Sequence, residues 1–174
     1  MPQKVPPFAE LLADCQRSAV HLEMRDVYGV ADEDADFAAW KSGQRYDLED
    51  RSSWWNDFHD VVAEAVARGV AVRRARIVSE PVTDYIRYEH ACTAQNIAAG
   101  EKVRWLPRRL ASSLMLPGND LWIFDEQLIR FGLFSGDGAF MGHELESSPG
   151  VVKQCVDAFE AVWSLAVPHE NYEV

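Results

Sequence analysis

Apolar and polar residues recur along this chain in two rhythms, and their order predicts a fold. Near the N-terminus, "PPFAELLADC" puts Phe8, Leu11, Leu12 and Cys15 on one helical face, with prolines at the entry. In "AVHLEMRDVY", Val20, Leu22 and Met24 alternate with His21, Glu23 and Arg25, the period of a half-buried strand. Residues 29–51 are polar and acidic, anchored by Phe37 and Trp40 and broken by Gly43. They predict a connection that contains a short helix, because a bare loop of that length is unusual. "SSWWNDFHDVVAEAVARGV" is the clearest helix: Ser52 or Ser53 caps it, Gly69 stops it, and Trp55, Phe58, Val62, Ala65 and Val66 form its stripe. A strand follows at "VAVRRARIVS", then Pro81 opens a helix that Gly100 ends. "EKVRWLP" reads as a short strand and "RRLASSLMLPGND" as a helical turn leading into a loop.

From residue 119 the pattern becomes antiparallel. "LWIF", "LIRFGLF" and "AFMGHEL" are strands separated by "DEQ" and "SGDG", and Asp125 falls in the first of those turns. Ser148 then caps a last helix with Pro149 at its first position, carrying Val152, Cys155, Phe159, Val162 and Trp163 on one face to near Pro168. Strand–helix–strand–helix–strand implies parallel pairing with helical crossovers. The expectation is an α/β domain over 1–174: a mixed sheet, parallel at its core and extended by an antiparallel meander, with helices on both faces.

Composition supports a packed interior. With 174 residues, 48% of them hydrophobic, and six Trp, eight Phe and five Tyr, there is ample surface to bury. No apolar run approaches a membrane span, and "MPQKVPPFAELLADCQ" lacks an apolar leader core, so a cytoplasmic, non-membrane protein is expected. Cys15, Cys92 and Cys155 have no metal-type spacing and read as buried, reduced thiols.

Charge changes the picture more. A net charge of −11 disfavours direct nucleic-acid binding. Yet residues 68–109 hold nine Lys/Arg against four acids, a net +5, which leaves the rest of the chain at −16. A basic middle within an acidic chain marks an anion site or a network of internal ion pairs. The five histidines (His21, His59, His90, His143, His169) show neither HExxH nor Cys/His spacing, and no serine sits in a GxSxG elbow. No metal, cofactor or nucleophilic serine is expected, and the histidines read as surface or hydrogen-bonded.

The candidate site residues follow from the predicted topology. Arg76 and the start of the helix opening near Pro81 should lie at the carboxyl edge of the parallel strands, where open α/β sheets bind ligands and helix N-termini favour anions. Arg104 and Arg108, leaving the next strand, are expected to face the same crevice. Asp84, Tyr85, Arg87 and Glu89 lie on that helix, and Glu101 follows it. These eight residues form either a site for a small anion or an Arg–carboxylate network that fastens helix to sheet.

The order of elements resembles one half of the phospholipase D-like fold. That superfamily's signature places a nucleophilic His, a phosphate-holding Lys two residues later, and an Asp further on. With Asp125 at the Asp position, the His position is Gly118 and the Lys position Asp120. The resemblance therefore implies a half fold without the groups that form and hold the phosphoryl intermediate. It also implies that homodimerisation is available to the chain, since such halves often pair.

A second resemblance spans nearly the whole chain. "HLEMRDVYGV", "PVTDYIRYEH", "AGEKVRWLPR", "LPGNDLWIFDE" and "FEAVWSLAVPH" look like an actinobacterial, Streptomyces-type domain-of-unknown-function family, encoded beside or fused to Xre-type helix-turn-helix regulators. It implies a place in regulatory or toxin–antitoxin-like loci and carries over no catalytic residue. The expected function is a non-catalytic binding or regulatory domain partnering such a regulator, a small ligand, or both. The alternative is an enzyme or toxin acting on a nucleotide or phosphorylated metabolite through the Arg-rich crevice.

Overall fold

A computed structural model describes residues 5–29 and 31–174. Residues 1–4, part of the stretch read for a leader, and Val30, within the 29–51 connection, lie outside the described residues. The elements run α1 (Phe8–Asp14), β1 (Ser18–Glu23), α2 (Ala31–Lys41), α3 (Asp57–Ala67), β2 (Ala71–Val78), α4 (Asp84–Ala98), β3 (Lys102–Pro107), β4 (Leu121–Phe124), β5 (Leu128–Phe134), β6 (Phe140–Glu146), α5 (Pro149–Leu165) and β7 (Val167–Pro168). The strands form one seven-stranded sheet in the order β6-β5-β4-β1-β2-β3-β7. β1, β2 and β3 are parallel, as the helical crossovers require, and β4, β5 and β6 fold back antiparallel beside β1.

The mixed sheet with helices on both faces is therefore as expected, with local corrections. Asn56, not Ser52 or Ser53, caps α3: its side chain accepts from the Phe58 and His59 N–H groups, and the His59 ring reaches back to the Asn56 N–H. The serines lie instead in a 3-10 turn over Arg51–Ser53 that lets Trp54 fold inward. α4 starts at Asp84 rather than at Pro81, because the Thr83 hydroxyl accepts the Ile86 N–H. Ser148 precedes α5 without a side-chain cap, and β7, unforeseen, closes the β3 edge. Cys15 and Cys155 are buried and Cys92 half-buried.

The two sheet faces differ. On one, Val20, Leu22, Ala75, Ile77 and Ile123 pack under Val152, Phe159 and Val162 of α5, a continuous apolar layer. On the other there are two apolar clusters. α1 and α3 cover Ala19, Val72, Trp122 and Phe124, while α4 covers Val78, Val103 and Trp105. A polar row of β1 and β2 side chains runs between them.

Asp125 closes the β4–β5 hairpin. It and Glu126 have φ of 51° and 57°, the left-handed pair of a tight hairpin turn, which Asp accepts more readily than Glu. Its carboxylate accepts from the N–H groups of Gln16 (2.8 Å), Arg17 (2.7 Å) and Ser18 (3.0 Å) and from the Cys15 thiol (3.2 Å). Asp125 thus pins the α1–β1 link at the amino end of β1, the end of the sheet away from the carboxyl edge. Its slight burial would raise its pKa, but the backbone donors outweigh it and hold the carboxyl at about 2, against an ordinary 3.8. A depressed carboxylate contributes stability above the ordinary value and loses it as pH falls through the folded one. Asp125→Ala is expected to cost about 1–2 kcal/mol at pH 7, a range already discounted for solvent screening. It should also remove part of the acid loss of stability between pH 4 and 2. Urea titrations across that range check both, and an unchanged acid slope would refute the clamp.

Candidate functional site

The polar row exists because β1 and β2 lie at the centre of the sheet and are covered on both faces. Strand alternation sends Val20, Leu22, Ala75 and Ile77 to the α5 side and His21, Glu23, Arg74 and Arg76 to the other. Charges so placed need partners. Register pairs Glu23 with Arg76 across the ladder, and the Arg76 Nε lies 3.0 Å from Glu23 Oε2. Arg76 also bonds Glu89 of α4, while Arg74 reaches Glu23 at 3.3 Å and the buried Glu101 at 3.1 Å. Burial alone would raise the Glu23 pKa, but the two guanidiniums hold it at about 2. Burial opposes the charge on Arg74 and Arg76, and the carboxylates overcome it, keeping both firmly cationic. Two arginines and three glutamates thus fasten α4 and the start of β3 to the centre of the sheet.

Two adjoining cavities open over this row, of about 300 and 600 Å³, with His21, Glu23, Arg74, Glu89 and Trp122 in both walls. The larger extends between α3 and α4 toward His59 and Gln95. The smaller lies toward the meander and is lined by Tyr28, Asp120, Arg130, Phe134, Phe140 and His143. Register assembles it, since His21 pairs with Trp122, Trp122 with Arg130, and Gly132 with His143. His21 stacks on Trp122 with ring centroids 4.3 Å apart, and burial, aided by nearby arginines, lowers its pKa to about 3, so it stays neutral. Asp120 accepts from the Met24 N–H at 2.9 Å and from the Tyr28 hydroxyl. Burial raises Asp120 to about 6, with Glu23 adding to the rise, and the same burial pushes the Tyr28 phenol well up. The Arg130 Nη2 donates to His143 Nδ1 at 3.1 Å, and burial, then Arg130, lowers His143 to about 4.

The sequence-derived residues divide between this groove and elsewhere. Arg76, Glu89 and Glu101 belong to the ion-pair network, and Tyr85 lines the smaller cavity. Asp84 is exposed at the start of α4, 3.9 Å from Lys41, and Arg87 is half-buried on the same helix. Arg104 does not face the crevice. It lies on the α5 side, its guanidinium 4.5 Å from the Trp163 ring centroid and donating to the Trp163 carbonyl, because register pairs it with Ala75 rather than Arg76. Arg108 clamps strand ends, donating to the carbonyls of Met24 (2.6 Å) and Ile77 (3.2 Å) and to the Ser79 hydroxyl (2.9 Å). The anticipated set omitted Glu23, Arg74, Tyr28, Trp122 and Arg130. Asp120 and His143, which the sequence marks as a signature position and as a histidine outside any metal-type spacing, line the smaller cavity. His21 is half-buried, its ring stacked on Trp122. Among the described residues, no cluster of three or more His, Cys, Asp or Glu could hold a metal, and no helix is long and apolar enough to cross a membrane.

Solved structures with similar folds include a phospholipase D family member. Nuc, a phospholipase D family member from Salmonella typhimurium, matches with a TM-score of 0.52 at 11% identity, over 95% of this chain and 88% of that one. NucT from Helicobacter pylori matches at 0.51 and 9% identity, over 92% and 87%. TrmBL2, an archaeal chromatin protein whose structure is described as showing a novel mode of DNA binding, matches at 0.49 and 15% identity over 91% of this chain. The chain spans about half, 47%, of that protein's length. At these identities the likeness is one of fold, and the fold is phospholipase D-like. No curated protein matches the chain. The family is set by sequence: residues 6–174 match the model of the domain of unknown function DUF6879, and the chain belongs to that family.

Proposed function

We propose that this chain is a non-catalytic binding domain on a phospholipase D-like half fold, taking a small ligand in the groove over the Arg74–Arg76 row. One observation carries the reading. With Asp125 taken as the Asp of the phospholipase D-type signature, the Lys position falls on Asp120, which is buried and occupied as acceptor for the Met24 N–H and the Tyr28 hydroxyl. A carboxylate there repels a phosphoryl group instead of holding it, and Gly118 supplies no nucleophile. Arg74 and Arg76 already answer Glu23, Glu89 and Glu101, so they brace the site and are not free to clamp a transferring phosphate.

The regulatory part of the reading rests on the resemblance to actinobacterial proteins encoded beside or fused to Xre-type helix-turn-helix regulators. A cytoplasmic setting belongs to it. The charge of −16 outside residues 68–109 suits a basic DNA-binding partner whose DNA it would displace. Co-elution with an adjacently encoded regulator, weakened by salt, is the expected result. The enzymatic alternative is tested directly: bis-p-nitrophenyl phosphate should not be hydrolysed above the buffer rate. Turnover abolished by Asp120→Ala or Arg130→Ala would overturn the non-catalytic reading.

A further inference from the structure

We propose that the smaller cavity takes a planar, ring-bearing monoanion, a ring carrying one carboxylate group, with the anion seated on Arg130. This names the ligand class of the groove and rests on the binding reading above.

The charge pattern points to the anion. Glu23, Glu89 and Glu101 are answered by Arg74 and Arg76, and Asp120 by a phenol and a backbone N–H. Arg130 is different: among the described residues no carboxylate pairs with it. Its Nη2 meets only the His143 ring, and its Nε is buried without a hydrogen-bond partner. A guanidinium can only donate, so His143 Nδ1 accepts and the imidazole carries its proton on Nε2. Phe8 lies 5.9 Å from the guanidinium carbon and packs one side of it. A positive group held by aromatic packing, and left without a counter-ion inside a cavity, is matched by a single negative charge from the ligand.

The remaining walls point to the ring. Tyr28, Phe134, Phe140 and the His143 ring form a chain of contacts, with centroids 5.5, 5.7 and 4.7 Å apart in turn. Phe140, 43% exposed, stands at the mouth. A volume of about 300 Å³ is at the small end of ligand sites and suits one ring with its charged group. Asp120 and Glu89 on the same lining would repel a second negative charge.

Calorimetric titration of the full chain with benzoate, phenyl phosphate, cyclohexanecarboxylate and inorganic phosphate tests this. Benzoate should bind more tightly than its saturated counterpart or inorganic phosphate, and phenyl phosphate, close to a dianion at neutral pH, should bind more weakly than benzoate. Arg130→Gln should weaken aryl-anion binding roughly tenfold to hundredfold, the worth of a charge-assisted bond. Arg130→Lys should retain part of it. Phe140→Ala, at an exposed position that folding tolerates, should weaken the aryl probes and leave inorganic phosphate unchanged. These last two variants carry the test if Arg130→Gln does not fold. The proposal is overturned if benzoate does not bind at millimolar concentration, if phenyl phosphate binds more tightly than benzoate, or if binding survives Arg130→Gln unchanged. Hydrolysis of phenyl phosphate would overturn the non-catalytic reading instead, so the two failures are distinguishable.

Discussion

Arg76→Ala is expected to lower the stability of the fold by about 3–5 kcal/mol, the cost of leaving buried charge unpaired. Arg76 is 4% exposed and contacts both Glu23 and Glu89, so its truncation strands Glu89 and leaves Glu23 with Arg74 alone on a covered sheet face. At a chain of this size each kcal/mol shifts the melting temperature by roughly 2–4 °C, so the loss is plain in a thermal scan. Arg76→Lys should recover only part, because one ammonium cannot span both glutamates as the planar fork does. Glu89→Gln, which keeps a hydrogen-bond acceptor on α4, should cost less than Arg76→Ala. Urea denaturation of the three variants ranks them. A loss below about 1 kcal/mol for Arg76→Ala would mean water already solvates the row.

The network shows which parts of the site were legible in the sequence. The alternation in "HLEMR" puts Leu22 on the apolar face, where it packs under α5, while "RRARIV" reads only as a strand. Nothing in that alternation says whether the opposite face is wet. For β1 and β2 it is covered, which turns Glu23 and Arg74 from ordinary surface residues into the centre of an ion-pair cluster. Arg104 failed for a related reason. Its place between Val103 and Trp105 fixes that it alternates with them, but only the β2–β3 register, Ala75 opposite Arg104, says which face it takes.

Residues assembled by the meander were the least accessible. Trp122, Arg130 and His143 come from three strands and meet His21 on a fourth, through pairings that no local pattern encodes. The hairpin itself was legible, because Asp125 sits in a short polar break between two apolar runs. Its three backbone acceptor bonds to residues 16–18 were not, since they lie more than 100 positions away in the chain.

Asp120→Asn is expected to stabilise the fold at pH 7 by up to about 2 kcal/mol, which is unusual for a change at a residue 6% exposed. Burial raises the Asp120 carboxyl from its ordinary 3.8 to about 6, even though the Tyr28 hydroxyl and the Met24 N–H favour its charged form. Between those two values the folded chain holds a proton that the unfolded chain has released. Stability from this group therefore falls as pH rises from about 4 to 6, and its ionised form costs the fold about 2–3 kcal/mol at neutral pH. An asparagine removes that penalty: its oxygen still accepts from Met24, and its amide can donate to the Tyr28 oxygen. Asp120→Leu removes both acceptors and should lose about 2–4 kcal/mol instead. The stability of wild type and both variants from pH 4 to 7.5 checks this, with the Asn variant flat where the wild type declines. An Asn variant as unstable as the Leu variant would mean the negative charge itself is stabilised by its surroundings. A carboxyl kept charged at a cost to folding, in the cavity that also holds the uncompensated Arg130, fits a groove shaped for its ligand: the acid limits the occupant to one negative charge, and the guanidinium receives it.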